Sequence, residues 1–509
     1  MAIGILPEGW ENTALEDFCL VIKGQSPPSA TYNTDGVGLP FLQGKAQFGA
    51  TYPIAVKWCS APSKIAEPDD VLVSIRAPVG PTNLCDVESC IGRGLAAIRT
   101  QVDMPPKYIL YAMRATEDEL RVNSTGTTFE AVRGDDLRSH PVPLPPIAEQ
   151  HRIVAEIEKL FTRLDASVAA LKRIQANLKR YRSSVLKAAC EDKLVPTEAD
   201  LALAKGRGYE PSVVLLERIL AERRAQWESQ RKRRSKYKEP VVPDTSDLPE
   251  LPEGWAWATV EQLLARSEYG TSVKCSYEAD GLPVLRIPNI VAGEIDLTDM
   301  KYATRSLPID PESALAKGDI LMCRTNGSVS LVGKTAVVNT ELETHHSFAS
   351  YLLRFRLTEA EVMPKWFHIH VTSQSGRAFI EQHAASSAGQ NNVSLSLIHT
   401  MPIPLPPLAE QYRIVAEVER RLSVIQQAEG TVESNITRAE RLRQSILKQA
   451  FSGQLVPQDS SDEPASLLLE RIRAERAAAE AVSKAQGKTR RRRSRRKPAK
   501  QLGLLKETP

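Results

Sequence analysis

The segment PLPPIAEQHRIVAEIE at Pro143–Glu158 recurs as PLPPLAEQYRIVAEVE at Pro404–Glu419, an offset of 261 residues. Only Ile147/Leu408, His151/Tyr412 and Ile157/Val418 differ, and each exchange roughly keeps the side-chain character. Solenoid units are about 20–50 residues long, so this offset points to a duplicated domain. Three more landmarks recur in the same order. LPEGW stands at Leu6–Trp10 and Leu251–Trp255, SVLKAACEDKLVP at Ser184–Pro196 matches SILKQAFSGQLVP at Ser445–Pro457, and LLERILAERRA at Leu215–Ala225 matches LLERIRAERAA at Leu468–Ala478. Between LPEGW and PLPP the halves diverge: one reads LPFLQGKAQFGATYPIAVKWCS, the other LPVLRIPNIVAGEIDLTDMKYAT. A shared scaffold with two divergent inserts is what one architecture needs when it must read two different things.

Each PLPP opens a long periodic segment. Ile153, Ile157, Leu160, Leu164, Val168, Leu171, Ile174, Leu178, Tyr181 and Val185 fall three or four apart. Ile414, Val418, Leu422, Ile425, Val432, Ala439, Leu442 and Ile446 form the corresponding stripe in the second copy, at spacings of three, four or seven. Such stripes predict amphipathic helices with a coiled-coil-like seam. Prolines punctuate the starts, and Glu149 and Glu410 sit in first turns where the helix dipole favours acid. Each helix is expected to run about 44 residues, roughly 65 Å at 1.5 Å per residue. A seam of that length needs a partner, either the other copy packed antiparallel or the helix's own domain.

Short apolar runs broken by Gly and Pro fill residues 11–142 and 256–403. Asp70–Ile75, Leu95–Arg99, Asp319–Cys323, Thr335–Asn339 and Tyr351–Leu357 read as strands. KYILYAMRATEDELRV and KWFHIHVTSQSGRAFIEQHA read as helices late in each insert. Each insert is therefore expected to be a mixed α+β domain.

Composition excludes several classes. Hydrophobic residues make up 42% and charged residues 25% of the 509, ordinary for a globular protein. No apolar run reaches the roughly 18 residues of a membrane helix, and MAIGILPEGW does not read as a secretion signal. Seven cysteines without a CxxC pair fit reduced thiols in a cytoplasm. A net charge of +4 does not by itself argue for nucleic acid. The runs RKRRSKYK (Arg231–Lys238) and RRRRSRRKPAK (Arg490–Lys500) are either phosphate-binding clusters or solvated tails.

Catalytic signatures are missing. GSVSLVGKT (Gly327–Thr335) has five residues between its glycines where a phosphate-binding loop has four, and DVLVSIRAPVGP in the first half lacks the Lys-Thr. A strand–turn–strand is the better reading. His368 and His370 would face apart on a helix, and His345–His346 has no cysteine or carboxylate at metal spacing. No residue is assigned a catalytic, cofactor or metal role.

LPEGW, a variable domain, the P-L-P-P-x-A-E-Q-x-R-I-V-A-E-[IV]-E helix start and the L-K-x-A helix end, all written twice, closely resemble the specificity subunit of type I restriction-modification systems. The resemblance covers nearly the whole chain. It implies an α+β fold with two mixed α/β target-recognition domains separated by two long antiparallel helices forming a coiled coil, related by an internal pseudo-twofold repeat. On it the chain divides into target-recognition domain 1 (1–146), long helix 1 (147–190), a linker with the LLERI helix and basic run (191–250), target-recognition domain 2 (251–407), long helix 2 (408–451) and a C-terminal helix with an Arg-rich tail (452–509). The tail is not part of the family's core motif. The resemblance further implies a non-catalytic, cytoplasmic protein binding double-stranded DNA, two modification (methyltransferase) subunits and restriction subunits. S-adenosylmethionine, ATP and Mg are then expected in those partners and not in this chain. A fused enzyme with an unrecognised catalytic domain and a coiled-coil scaffold without DNA binding are the alternatives.

On this reading Lys45, Arg76 and Arg93 in the first insert, and Arg286, Arg324 and Lys334 in the second, are candidate DNA contacts. They lie in or beside Gly/Pro-broken loops, and Arg and Lys are the usual readers of guanine and phosphate. Each could equally be a solvated surface charge. Val154, Phe161 and Val415 lie off the main helix stripes and are candidates for docking a modification subunit.

Overall fold

A computed structural model describes residues 6–101, 103–122, 131–229, 236–291, 293–307, 314–358, 363–387 and 389–494. Two compact units emerge: residues 1–171 with 434–509, and residues 172–433. The long helices Ile147–Cys190 and Leu408–Phe451 are each 44 residues, and each is shared between the units. Among the described residues no helix is long and apolar enough to cross a membrane.

The first unit is built on an antiparallel sheet with strands in the order Cys19–Lys23, Leu95–Thr100, Val71–Ser74 and Thr82–Leu84. Alternation sets its two faces. Val71, Val73, Ala96 and Ile98 face a helical core with Tyr108, Ile153 and Phe451. Leu72, Leu95 and Ala97 face a smaller cluster with Leu42 and Ile91. A second sheet holds the parallel pair Leu39–Leu42 and Ser89–Ile91. The second unit repeats the plan. Its main sheet begins Leu264–Tyr269, Leu352–Leu357, Ile320–Cys323, Thr335–Val337, and its small sheet holds the parallel pair Pro283–Leu285 and Ser347–Phe348. Each late-insert segment that reads as one helix is two. Pro106–Ala115 stops at Thr116 before Glu117–Val122. Met363–Thr372 stops at Ser373, whose hydroxyl caps the next helix by accepting from Gly376 N.

The repeated words prove to be neighbours in space. The strand after LPEGW pairs with the one ending in PLPP: Glu11–Ala14 with Pro141–Leu144, and Ala256–Thr259 with Pro402–Leu405. Trp10 Nε1 donates to Glu149 Oε2 and Trp255 Nε1 to Glu410 Oε1, both at 2.9 Å. Gln150 Nε2 closes onto Pro145 O and Gln411 Nε2 onto Pro406 O, again both at 2.9 Å. Arg152 pairs with Asp462, and Arg413 with Glu198. Thus residues after each long helix complete the first turn of a long helix in their own unit.

The same bonds recur where the sequence carries little signal. Lys107 pairs with Glu158 and Lys365 with Glu419. Tyr108 OH donates to Pro143 O and Trp366 Nε1 to Pro404 O. Buried Asp70 and Asp319 each accept a two-pronged arginine, Arg99 at 2.8 Å and Arg356 at 2.7 Å. Arg476 donates to Cys19 O, and Arg223 to Leu264 O, so each LLERI helix is clamped to the first strand of a main sheet.

Antiparallel helix pairing and packing on the home domain both occur. Within the first unit Asp165 pairs with Arg443, and Phe161 and Ile157 share a core with Leu447 and Phe451. Within the second, Arg182 pairs with Glu429, and Val185 and Ala189 share a core with Ile414 and Val418. The expected seam is incomplete: Ile174, Tyr181 and Leu442 are 43–46% exposed. Two helices alone cannot cover a full stripe, and the domain cores cover only its ends.

Candidate nucleic-acid interface

Three loops of the first unit converge at one end of its main sheet. Gly92 N donates to Leu42 O and Ile75 N to Gly94 O, tying the turns after Leu39–Leu42 and Val71–Ser74 to the Gly92–Gly94 turn. Gln47 shapes the first of these turns, with Oε1 accepting from Gln43 N and Nε2 donating to Phe41 O. Lys45, Arg93 and Arg76 each sit on one of the three loops, and all are exposed. The sequence expectation placed them in loops, and the structure brings those loops together. Side chains on loops held by a rigid scaffold are well placed for recognition.

The second unit repeats these junctions bond for bond. Ala349 N donates to Leu285 O, and Arg324 N to Tyr351 O. Gly24 and Gly270 are equivalent: a Cβ on either would lie 2.2 Å from a backbone oxygen of the turn it faces, Gly92 O or Phe348 O. In both units the chain returns to the same loop, through Val132 N to Ile75 O and Val393 N to Arg324 O. In the second unit the returning segment is a hairpin, Ala385–Ser387 paired with Gln390–Asn392, and Asn391–Asn392 also pair with Thr325–Asn326.

The three candidates of the second unit have different fates. Arg324 lies with its guanidinium 4.8 Å from the Tyr269 ring centroid, and its Nε donates to Asn392 Oδ1 at 3.2 Å. It opens onto a shallow cavity lined by Thr325, Ser350, Tyr351, Gln390 and Asn392. Lys334 is half-buried where its loop enters the Thr335–Val337 strand. Arg286 is the most enclosed of the three. Its side chain is 12% exposed, paired with Asp299 at 3.0 Å and 5.8 Å from the Tyr277 ring centroid.

Val154, Phe161 and Val415 were expected to dock a modification subunit. They are 8%, 6% and 4% exposed and belong to the cores of their own units. The domain packed on each helix covers the face that helical spacing alone left open.

Lys334–Thr335 leads into a strand, whereas a phosphate-binding loop leads into a helix. Burial depresses His368 and His370 to about 4. His368 Nδ1 meets Thr335 Oγ1 and His370 Nε2 meets Pro402 O, so they point to different partners. Among the described residues no group of His, Cys, Asp or Glu could hold a metal ion. Residues 231–235 of the first basic run and 495–500 of the second lie outside the described residues. Tyr237 of the first run packs on Trp227.

Sequence reasoning missed Tyr269, Gln390 and Asn392. The signal was the partial alignment of DVLVSIR with DILMCRT, which sets Arg324 against Ile75.

Residues 7–180 match the family model described as the type I restriction modification DNA specificity domain. Over 502 residues the chain is 25% identical to the type I restriction enzyme EcoKI specificity subunit of Escherichia coli K12, covering 94% of this chain and 98% of that protein. It is 36% identical over 187 residues to the putative type I restriction enzyme MjaX specificity subunit of Methanocaldococcus jannaschii, covering 36% of this chain and 44% of that protein's length. The fold is similar to that of a chain solved in work on complex assembly and conformational transition of the type I R-M system. That match has a TM-score of 0.62 at 19% identity and covers 89% of this chain and all of the other. The HsdS subunit of Thermoanaerobacter tengcongensis matches with a TM-score of 0.50, also at 19% identity, over 89% of this chain and 99% of that one. The resemblance carried by the repeated helix start therefore extends along nearly the whole chain.

Proposed function

We infer that the chain is the specificity subunit of a type I restriction-modification complex, a non-catalytic protein whose two units each read one half of a bipartite duplex DNA site. The observation that carries this is the contrast within each unit. The scaffold bonds of Trp10, Glu149, Lys107 and Asp70 recur at Trp255, Glu410, Lys365 and Asp319, while the loops they support differ. Catalysis belongs to partners: S-adenosylmethionine with two modification subunits, ATP and Mg with restriction subunits. Two partners fit because a pseudo-symmetric scaffold offers equivalent surfaces twice. We assign their docking to the exposed apolar positions left on the long helices, Ile174, Tyr181, Val424 and Leu442. Lys45, Arg76, Arg93, Arg324 and Lys334 are assigned to the DNA face, and helix length sets the gap between half-sites.

Methylome sequencing of a cell carrying this chain and its modification subunit tests the reading. The expected result is one bipartite motif with a fixed unread gap, lost when this chain is deleted. Methylation at a continuous motif, or methylation independent of this chain, contradicts it.

A further inference from the structure

A residue that confers specificity must lie where the two repeats differ while the backbone around it stays the same. Arg324 meets that condition. Its N–H and its carbonyl make the bonds that Ile75 makes in the first unit, to Tyr351 O and from Val393 N, against Gly94 O and from Val132 N. Yet Ile75 is 3% exposed, whereas Arg324 faces the open cavity. One residue before the equivalent glycines, Tyr269 replaces Lys23. The arginine–tyrosine pair is therefore an addition to the shared scaffold.

The guanidinium is held from two sides. Tyr269 lies under it at 4.8 Å and Asn392 Oδ1 takes the Nε proton. Both terminal nitrogens are left without a partner among the described residues. Other arginines of this unit differ: Arg286, Arg356 and Arg377 each pair with a carboxylate. The cavity around Arg324 offers only neutral polar groups, from Thr325, Ser350, Tyr351, Gln390 and Asn392. A planar fork with two free terminal nitrogens matches the O6 and N7 acceptors of guanine in the major groove. A phosphate contact needs no such pre-orientation, because a flexible cation suffices for it.

We propose that Arg324, oriented by Tyr269 and Asn392, reads one guanine in the half-site bound by the second unit. The proposal rests on the specificity-subunit reading and adds to it the base that is read and the residues that hold the reader. Asn392 and Tyr269 act as positioning residues.

The test uses the full chain co-expressed with its modification subunit and a random duplex library. Wild type should select a bipartite motif with a guanine at one position of the half that survives exchange of residues 11–142. Changing that G·C pair should weaken wild-type binding by roughly 10- to 100-fold. Arg324→Ala should abolish preference at that position alone. Arg324→Lys should keep folding but weaken the same preference, since a flexible ammonium lacks the rigid planar fork. Tyr269→Ala should weaken the preference without moving it. Uniform weakening across all sequences in R324A, with a salt slope reduced by about one, would make Arg324 a phosphate contact and overturn the proposal. So would relaxation at a position that is not guanine, or no relaxation in either variant. If wild type itself selects no motif, the specificity reading fails with it.

Discussion

Glu410 shows how a conserved-looking word acquires a physical role at the level of one side chain. It is fully buried and accepts from Trp255 Nε1 and Glu198 N. Burial, reinforced by nearby Asp192, pushes its carboxyl up to about 7 despite those two donors. A folded value above the unfolded one means the folded state binds more protons. The stability this group contributes is full below about 4.5 and is lost as pH rises towards about 7. Glu410→Gln cannot ionise, so its urea midpoint should fall less than that of wild type between pH 5 and 7; parallel curves would contradict the assignment. Glu149, raised by burial in the same way, should give the same sign. The paired Asp–Arg bonds make a second prediction. Asp70 is 1% exposed and Arg99 grips both its oxygens, so Arg99→Ala strands a buried carboxylate and should cost about 3 kcal/mol. Arg356→Ala should cost less, because Arg354 remains 3.6 Å from Asp319. Equal losses in chemical denaturation would argue against the explanation. Neither bond was legible in the sequence. Arg99 and Arg356 sit inside ordinary strand patterns, and only the fold brings them opposite aspartates 29 and 37 residues away.

At the scale of elements, strong periodicity was readable and its interruptions were not. The long helices run over the residues their stripes indicate, and the Asp70–Ile75 and Tyr351–Leu357 runs contain the strands Val71–Ser74 and Leu352–Leu357. The break at Ser373 was missed because apolar spacing continues across it, and the cap bond to Gly376 N is a local event with a weak signature. Val154, Phe161 and Val415 pack into the cores of their own units, which helical spacing does not show, because a stripe reports burial without naming the partner. Helix length itself is testable. One heptad inserted after both Ala176 and Thr437 keeps the seam in register and adds roughly 10 Å at 1.5 Å per residue. The methylated motif should then require a longer gap, or methylation at the native spacing should fall sharply. A folded variant that methylates the native spacing at the native rate removes the helices as the ruler.

At the scale of the whole molecule, duplication explains why so much of the plan could be read. Two copies of one sentence mark which residues are scaffold, and the stretches between them mark what varies. Assignment of segments to units was harder. Beyond the second long helix, Leu468, Leu469 and Ile472 enter the first unit's core and Arg476 clamps its first sheet strand. They do for the first unit what residues 191–250 do for the second through Leu215, Ile219 and Arg223. The duplicated plan groups this C-terminal segment with the first unit. The central claim is that one scaffold carries two independent readers. The most direct measurement replaces residues 11–142 with the corresponding insert of another specificity subunit and sequences the methylome of cells carrying the chimera with its modification subunit. One half of the methylated motif should change to the donor's and the other half should stay as it was. A folded chimera in which both halves change, or neither does, would contradict the account.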